Sequence, residues 1–299
     1  MKVLITGITG FAGTHLADYA RAQGAEVTGL SRSTGVDLAN VAALRRTVGY
    51  ARPDLVFHLA AQTSGNDEAQ LRRSNVEGTR NLLEAAAALD NRPRILVASS
   101  SAVYGGGPAP GAPIPEDAPL APGGAYATAK AEQDRLAEQL GGELGLPVIR
   151  ARAFNQTGPG EKDSFVASSV ARQIAEIEAG RRAPRIAIGR TDTLRDFSDV
   201  RDIVRGYWVA ATRGEAGEAY NLCSGRAVSI QWIVDTLLSL SSATIAVEQD
   251  PDRMRPSDVP VQVGDPSKAK RELGWETEIP FERTLADLLV YWRHAVRRV

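Results

Sequence analysis

The chain has 299 residues, 43% of them hydrophobic, and balances 35 lysines and arginines against 36 acids. That length buries a full core in one large domain or two joined ones. A net charge of -1 supplies no field for gathering nucleic acid or an anionic membrane, so neither is an expected partner.

The single cysteine, Cys223, lies in an apolar stretch and reads as a buried reduced thiol, which excludes a disulfide framework and a thiolate metal cluster. The opening MKVLITG runs directly into a strand pattern without the blocks of a signal peptide, and nowhere are 18 apolar residues consecutive. The expected location is the cytoplasm.

In chain order, strand patterns run over Lys2 to Thr6, Glu26 to Leu30, Leu55 to Leu59, Ile95 to Ser99 and Pro147 to Ala151. Helical spacing fills the intervals at Phe11 to Gln23, Val41 to Arg52, Val76 to Leu89 and Tyr126 to Leu140. This alternation predicts βαβ crossovers and a mostly parallel sheet covered on both faces. Residues 105–124 are rich in proline and glycine, forbid regular structure and read as a loop lining a site. Beyond Ala151 the pattern is less regular. Ser229 caps a helix through Leu238, Asp265 with Pro266 opens a short helix that Gly274 closes, and a final amphipathic helix carries Leu285, Leu288, Leu289, Trp292 and Val296.

The first strand runs into GITGFAG, which places Gly7, Gly10 and Gly13 before a helix. A strand, a glycine turn and a helix N-terminus together let a pyrophosphate approach the backbone and lie against the positive helix end. The residue closing the second strand selects the dinucleotide. An acid there favours the free ribose of NAD(H), whereas this chain has Ser31 and Arg32, and a guanidinium pairs with a 2′-phosphate. NADP(H) is therefore the expected cofactor, with NAD(H) as the alternative.

Downstream of the loop, GGAYATAK sets Tyr126 and Lys130 four residues apart on one helix face. A phenol is a weak acid near neutrality; a neighbouring ammonium and a nicotinamide cation are expected to lower its pKa toward the working range. Upstream, LVASSSAVYGGG ends a strand in three serines followed by Ala102 and Tyr104.

With these marks the chain resembles the extended short-chain dehydrogenase/reductases acting on nucleotide-linked sugars. The resemblance runs through HLAA at 58–61, Asn75 in SNVEGT, SSSAVYG, YATAK, FNQTGPG, RDFSDV, MRPSDV and KAKRELGW. It implies an α/β fold: a Rossmann-type, doubly wound parallel sheet over residues 1–154 and about 191–224. A smaller C-terminal α/β domain, about 155–190 and 225–299, binds the sugar nucleotide. Carried over residue by residue, it implies that Tyr126 exchanges the proton, Lys130 holds Tyr126 and the nicotinamide ribose, and Ser100 bonds the reacting sugar oxygen. Asp37 and Leu38 contact adenine, Phe11 joins the glycine turn, and Leu59, Ala60 and Ala61 line the nicotinamide side. Thr63, Ser101, Asn155, Arg195, Arg255 and Asp258 face a nucleotide-diphosphate sugar, and the family habit is a homodimer. His58, Ser99 and Tyr104 then read as packing residues. The competing role for Arg195 is an ion pair with Asp196, Asp199 or Asp202.

A 4,6-dehydratase in this family carries acid residues just after its catalytic Ser or Thr, and the methyl of Ala102 transfers no proton, so dehydration ranks last of the three reactions. A nucleotide-sugar 4-epimerase recycles its cofactor and commonly selects NAD, so Ser31 and Arg32 favour reduction. The second half resembles the bacterial reductases that convert GDP-4-keto-6-deoxy-D-mannose to GDP-D-rhamnose, through RAFNQTGPG, RQIAEIE, RDFSDVRDIVRGYW, YNLCSG and RPSDVP. Those reductases can be acidic where this chain has Ala102. A non-catalytic dinucleotide sensor would show a lost tyrosine, lysine or glycine turn, and all three are intact.

Overall fold

The computed structural model describes residues 1–62, 67–254 and 259–297. The first half runs β1 Lys2–Thr6, α1 Phe11–Ala22, β2 Glu26–Leu30, α2 Val41–Ala51, β3 Leu55–His58, α3 Glu68–Arg72, α4 Gly78–Ala87, β4 Arg94–Ala98, α5 Ala125–Leu144 and β5 Val148–Ala153. Each strand expected in this half forms within two residues of its expected ends. The second half runs β6 Asn155–Thr157, α6 Val166–Glu178, β7 Arg185–Ile188, β8 Leu194–Asp199, α7 Val200–Arg213, β9 Ala219–Leu222, β10 Ala227–Ser229, α8 Ile230–Ser239, β11 Ala246–Gln249, β12 Val261–Gln262 and α9 Phe281–Arg297.

Six parallel strands form one sheet in the order β2-β1-β3-β4-β5-β9. Successive side chains on a strand point to opposite faces, so each face collects its own core. Val3, Ile5, Phe57 and Leu96 pack with α1 and α7, whereas Leu4, Val56, Ile95 and Val97 pack with α2, α4 and α5. Apolar strands buried on both faces explain why the sheet was legible as near-continuous hydrophobic runs. A third cluster joins α6, β7, α8 and α9. Ser229 caps α8 by accepting from the Trp232 N–H, and Gly274 ends the short helix before α9 in the left-handed conformation, both as expected.

The proline-glycine loop is irregular, as its composition requires, but it is pinned. Ile114 is buried beside Tyr104, Phe154 and Cys223, and its carbonyl accepts from Asn221 and from the Asp265 N–H. Cys223 is a buried free thiol, and burial pushes its pKa up. Among the described residues no helix is long and apolar enough to cross a membrane.

Candidate active site

The sheet reverses direction of growth between β1 and β3, and the C-terminal ends of the strands on either side carry the expected site residues. In open α/β sheets this is the crevice that binds ligands. Gly7 has φ +73°, and a Cβ on it would sit 2.8 Å from the Ala60 nitrogen. A Cβ on Gly13 would lie 2.1 Å from the Gly7 carbonyl, so only glycine allows α1 to start this close to β1. Gly10 caps α1 without a side chain, and the first turn, opened by Phe11, carries no acid. These uncapped N–H groups fit a dinucleotide pyrophosphate, and the two glycines let the turn pack tightly enough on β3 and α1 to present them.

At the end of β2, Ser31 caps a short turn over Arg32–Thr34, accepting from the Thr34 N–H at 3.1 Å. Its hydroxyl meets Ser33 at 2.8 Å, and Ser33 meets Thr9 from the glycine turn at 3.3 Å. Arg32 is exposed and makes no ion pair among the described residues, so its charge is available to a 2′-phosphate. Thr9 and Ser33 were not singled out from sequence; both are neighbours of residues that were. Asp37 folds its carboxylate back onto the Ala39 N–H, and Leu38 is held by Asn81 through its carbonyl and packs on Gly78.

Leu59, Ala60 and Ala61 leave β3 half-buried. The Ala60 N–H donates to Thr6 Oγ1 at 3.1 Å, and buried Asn75 clamps the following residue by accepting from the Gln62 N–H and donating to its carbonyl. His58 is buried, and desolvation together with Lys130 pushes its pKa down to about 3. It is a neutral, internally bonded side chain, consistent with a packing role.

Ser100 opens the turn after β4, and Tyr126 stands in the first turn of α5, near enough for the Ser100 side chain to act on the phenol's pKa. Burial pushes the Tyr126 phenol above its ordinary value, with the Ser100 side chain working against it. The expected lowering of this phenol by its lysine is therefore not what the protein alone produces. The Lys130 ammonium is instead bonded at 2.5 Å to the Ala98 carbonyl and at 2.5 Å to Gln133 Oε1. Burial lowers Lys130 to about 8, and Asp134 one turn further along the helix opposes the change.

Ser101 is bonded within the protein. Its hydroxyl is buried and donates to Gln262 Oε1 at 3.2 Å, while Gln262 Nε2 donates back to the Ser101 carbonyl. The hydroxyl gives its one hydrogen to Gln262, so Ser101 ties the turn to β12 and has only its lone pairs left to offer. Tyr104 is fully buried between Arg152 and Asn221, and burial raises it to about 12.

Asn155 follows β5 and donates to the Asp196 carbonyl. Arg195 lines a cleft of about 760 Å³ with Arg190, Arg253, Thr193, Ser169 and Phe165. The carbonyls of Leu194 and Val259 hold its guanidinium, and the three aspartates near it in sequence are engaged elsewhere. Asp196 accepts from Ser224 and Gly225, Asp199 pairs with Arg201, and Asp202 pairs with Arg205. Arg190 and Arg253 carried no motif in the sequence. Thr63, Arg255 and Asp258 lie outside the described residues. Among the described residues no group of acids, histidines and cysteine could hold a metal ion.

Residues 33–288 match the family described as GDP-mannose 4,6 dehydratase. The chain is 35% identical to GDP-6-deoxy-D-mannose reductase of Pseudomonas aeruginosa, over 99% of this chain and 98% of that protein. Its fold matches RMD from Pseudomonas aeruginosa complexed with NADPH at a TM-score of 0.91 and 34% identity, covering 99% of this chain and 100% of that one. UDP-glucose 4-epimerase of Thermus thermophilus complexed with NAD matches at a TM-score of 0.87 and 26% identity, with coverage of 99% and 100%. The glycine cradle, the Ser100–Tyr126–Lys130 constellation and these full-length matches lead to one conclusion: the chain belongs to the GDP-mannose 4,6 dehydratase family, within the extended short-chain dehydrogenase/reductases.

Proposed function

We propose that the chain reduces a nucleotide-linked 4-keto-6-deoxy sugar, converting GDP-4-keto-6-deoxy-D-mannose to GDP-D-rhamnose, with NADPH preferred over NADH. The observation that carries this reading is the end of β4, where Ser100 lies near enough to act on the Tyr126 phenol and an alanine, Ala102, rather than an acid follows two residues on. One proton donor with no adjacent acid suits delivery of a single proton to a single oxygen. It does not suit the additional acid–base work of expelling water from carbon 6. The full-length similarity to a GDP-6-deoxy-D-mannose reductase supports the same choice.

Bound NADPH supplies the hydride for carbon 4. The residues that would hold it are the Gly7, Gly10 and Gly13 turn at the pyrophosphate, Ser31 and Arg32 at the 2′-phosphate, and Asp37 and Leu38 at adenine. The Leu59–Ala61 backbone would lie beside nicotinamide and Lys130 at the ribose. Burial keeps the Tyr126 phenol protonated near neutrality, the state needed to donate a proton to the oxygen on carbon 4. Ser100 orients that oxygen, and the Lys130 ammonium stabilises the phenolate left behind. Asn155 and Arg195 would engage the nucleoside diphosphate, a fixed fork of donors suiting a diphosphate better than a mobile ammonium. A homodimer in the cytoplasm belongs to the same reading.

The likeness to a UDP-glucose 4-epimerase fold favours epimerisation as the second reading. The two separate in one assay: the reductase consumes NADPH with GDP-4-keto-6-deoxymannose, whereas the epimerase interconverts UDP-glucose and UDP-galactose without added reductant.

A further inference from the structure

We propose that Gln133 is a positioning residue for Lys130, and that a buried chain of hydrogen bonds through Thr79 to His58 locks its amide in the orientation that receives the ammonium. The proposal rests on the reading of Tyr126 and Lys130 as the reacting pair.

Thr79 is the pivot. Its Oγ1 has three polar neighbours: the Asn75 carbonyl at 2.6 Å, His58 Nε2 at 2.7 Å and the Gln133 amide at 2.8 Å. A carbonyl only accepts, so the one hydroxyl hydrogen goes to Asn75, and the other two neighbours must both donate. Gln133 therefore turns its NH2 to Thr79 and its oxygen to Lys130, and His58 carries its hydrogen on Nε2. A neutral imidazole has a single N–H, so His58 Nδ1 accepts from Thr6 Oγ1 at 2.8 Å. Thr6 Oγ1 in turn accepts from the Ala60 N–H, the backbone that closes on Gly7.

Each side chain in the chain is sealed from water: Thr6, Thr79 and Gln133 at 0% exposure, His58 at 1% and Lys130 at 2%. No solvent molecule can substitute for a misdirected donor, so the direction of every bond is fixed. A flipped Gln133 would set an NH2 against the ammonium and an oxygen against a hydroxyl whose hydrogen is already committed. In the observed orientation the ammonium gives one N–H to Ala98, one to Gln133, and keeps a third for the site. His58 thus acts three residues away from the chemistry, by fixing its neighbours, and the glycine turn and the lysine share one rigid network.

The groups facing Lys130 are Asp134 and the Gln133 amide oxygen from its own helix, His58 from β3, and the Ala98 carbonyl from β4. Asp134 is itself held by Arg150 and Arg152 of β5. Two measurements on the full-length protein test the proposal. Long-range ¹⁵N–¹H correlation of the wild type, with His58 distinguished from His15 and His294 by single replacement, should find His58 neutral with its hydrogen on Nε2 down to pH 5. A hydrogen on Nδ1, or titration near its ordinary value, would overturn the chain.

The second measurement compares Gln133→Leu, Gln133→Glu and Tyr126→Phe in NADPH-dependent turnover across pH. Gln133→Leu should lower kcat about 10- to 100-fold, the scale of losing a hydrogen bond to a charged group. Gln133→Glu keeps the acceptor for Lys130 but loses the donor to Thr79, whose hydroxyl must turn from Asn75 to the new oxygen. It should recover only part of that loss, and it should move the alkaline limb of the profile up by about one pH unit, because a carboxylate favours the ammonium. Equal losses in both variants with an unmoved limb would reduce Gln133 to packing and defeat the proposal. If Gln133→Leu does not fold, the limb of Gln133→Glu and the His58 tautomer decide it. An active Tyr126→Phe would instead defeat the underlying reading, so the two failures are distinct.

Discussion

Lys130 Nζ donates at 2.5 Å to the carbonyl of Ala98, the last residue of β4 and two positions before Ser100. This bond ties the helix that carries Tyr126 to the strand that leads into Ser100. Removing the phenol hydroxyl while leaving that contact intact isolates the proton step. Tyr126→Phe should cut turnover by about two to four orders of magnitude, the usual cost of a lost general acid. NADPH binding, followed by fluorescence titration, should stay within a few-fold of the wild type.

Arg32 offers an exposed guanidinium with no ion pair among the described residues. Arg32→Ala should raise the KM for NADPH by about 10- to 100-fold, the worth of a hydrogen bond between charged groups. The KM for NADH should barely move. An equal effect on both cofactors would show that the side chain does not read the 2′-phosphate.

Asp134 accepts from Arg150 at 3.1 Å and from Arg152 at 2.8 Å, with all three side chains at most 7% exposed. Burial pushes its carboxyl up, and Arg152, Ser99 and Arg150 more than offset that, leaving it below the ordinary carboxylate range. Asp134→Ala leaves two buried guanidinium groups short of a partner and should destabilise the fold by about 3–5 kcal/mol in urea unfolding. Asp134 also opposes the lowering of Lys130, so in any folded fraction the alkaline limb of turnover should begin at lower pH than in the wild type.

Glu161 is buried, bonded at 2.5 Å to Thr157 Oγ1, and desolvation raises its pKa to about 8, with the Thr157 bond opposing. The folded state therefore holds a proton that the unfolded chain has released between about pH 4.5, the ordinary value, and about 8. The stability this gives is fully present below the unfolded pKa and is lost as pH rises toward the folded one, at no more than about 1.4 kcal/mol per pH unit. Glu161→Gln should flatten that decline. Urea unfolding at pH 5, 7 and 9 measures it, and parallel slopes in both proteins would contradict the assignment.

The parallel sheet was legible because Lys2–Thr6, Leu55–His58 and Arg94–Ala98 are short apolar runs separated by helix-length segments. The strands of the second half were not, for a physical reason. β11 is exposed at all four residues and β12 is two residues long, so neither has an apolar face to show; each forms by pairing with a distant strand, β7 or β8. Tyr126, Lys130 and the glycine turn stood out because their chemistry depends on local spacing. The bond from Ser101 to Gln262 was not legible because the two are 161 residues apart. Thr79 and Gln133 gave no sign, since a buried hydrogen bond between two helices leaves no periodic mark.

The most direct test of the reduction is to supply GDP-4-keto-6-deoxy-D-mannose with NADPH deuterated at the transferable nicotinamide position. Hydride delivery to carbon 4 predicts one NADPH consumed per sugar and one deuterium on carbon 4 of GDP-D-rhamnose, read by NMR or mass spectrometry. Sugar turnover with no NADPH consumed and no deuterium in the product would contradict it.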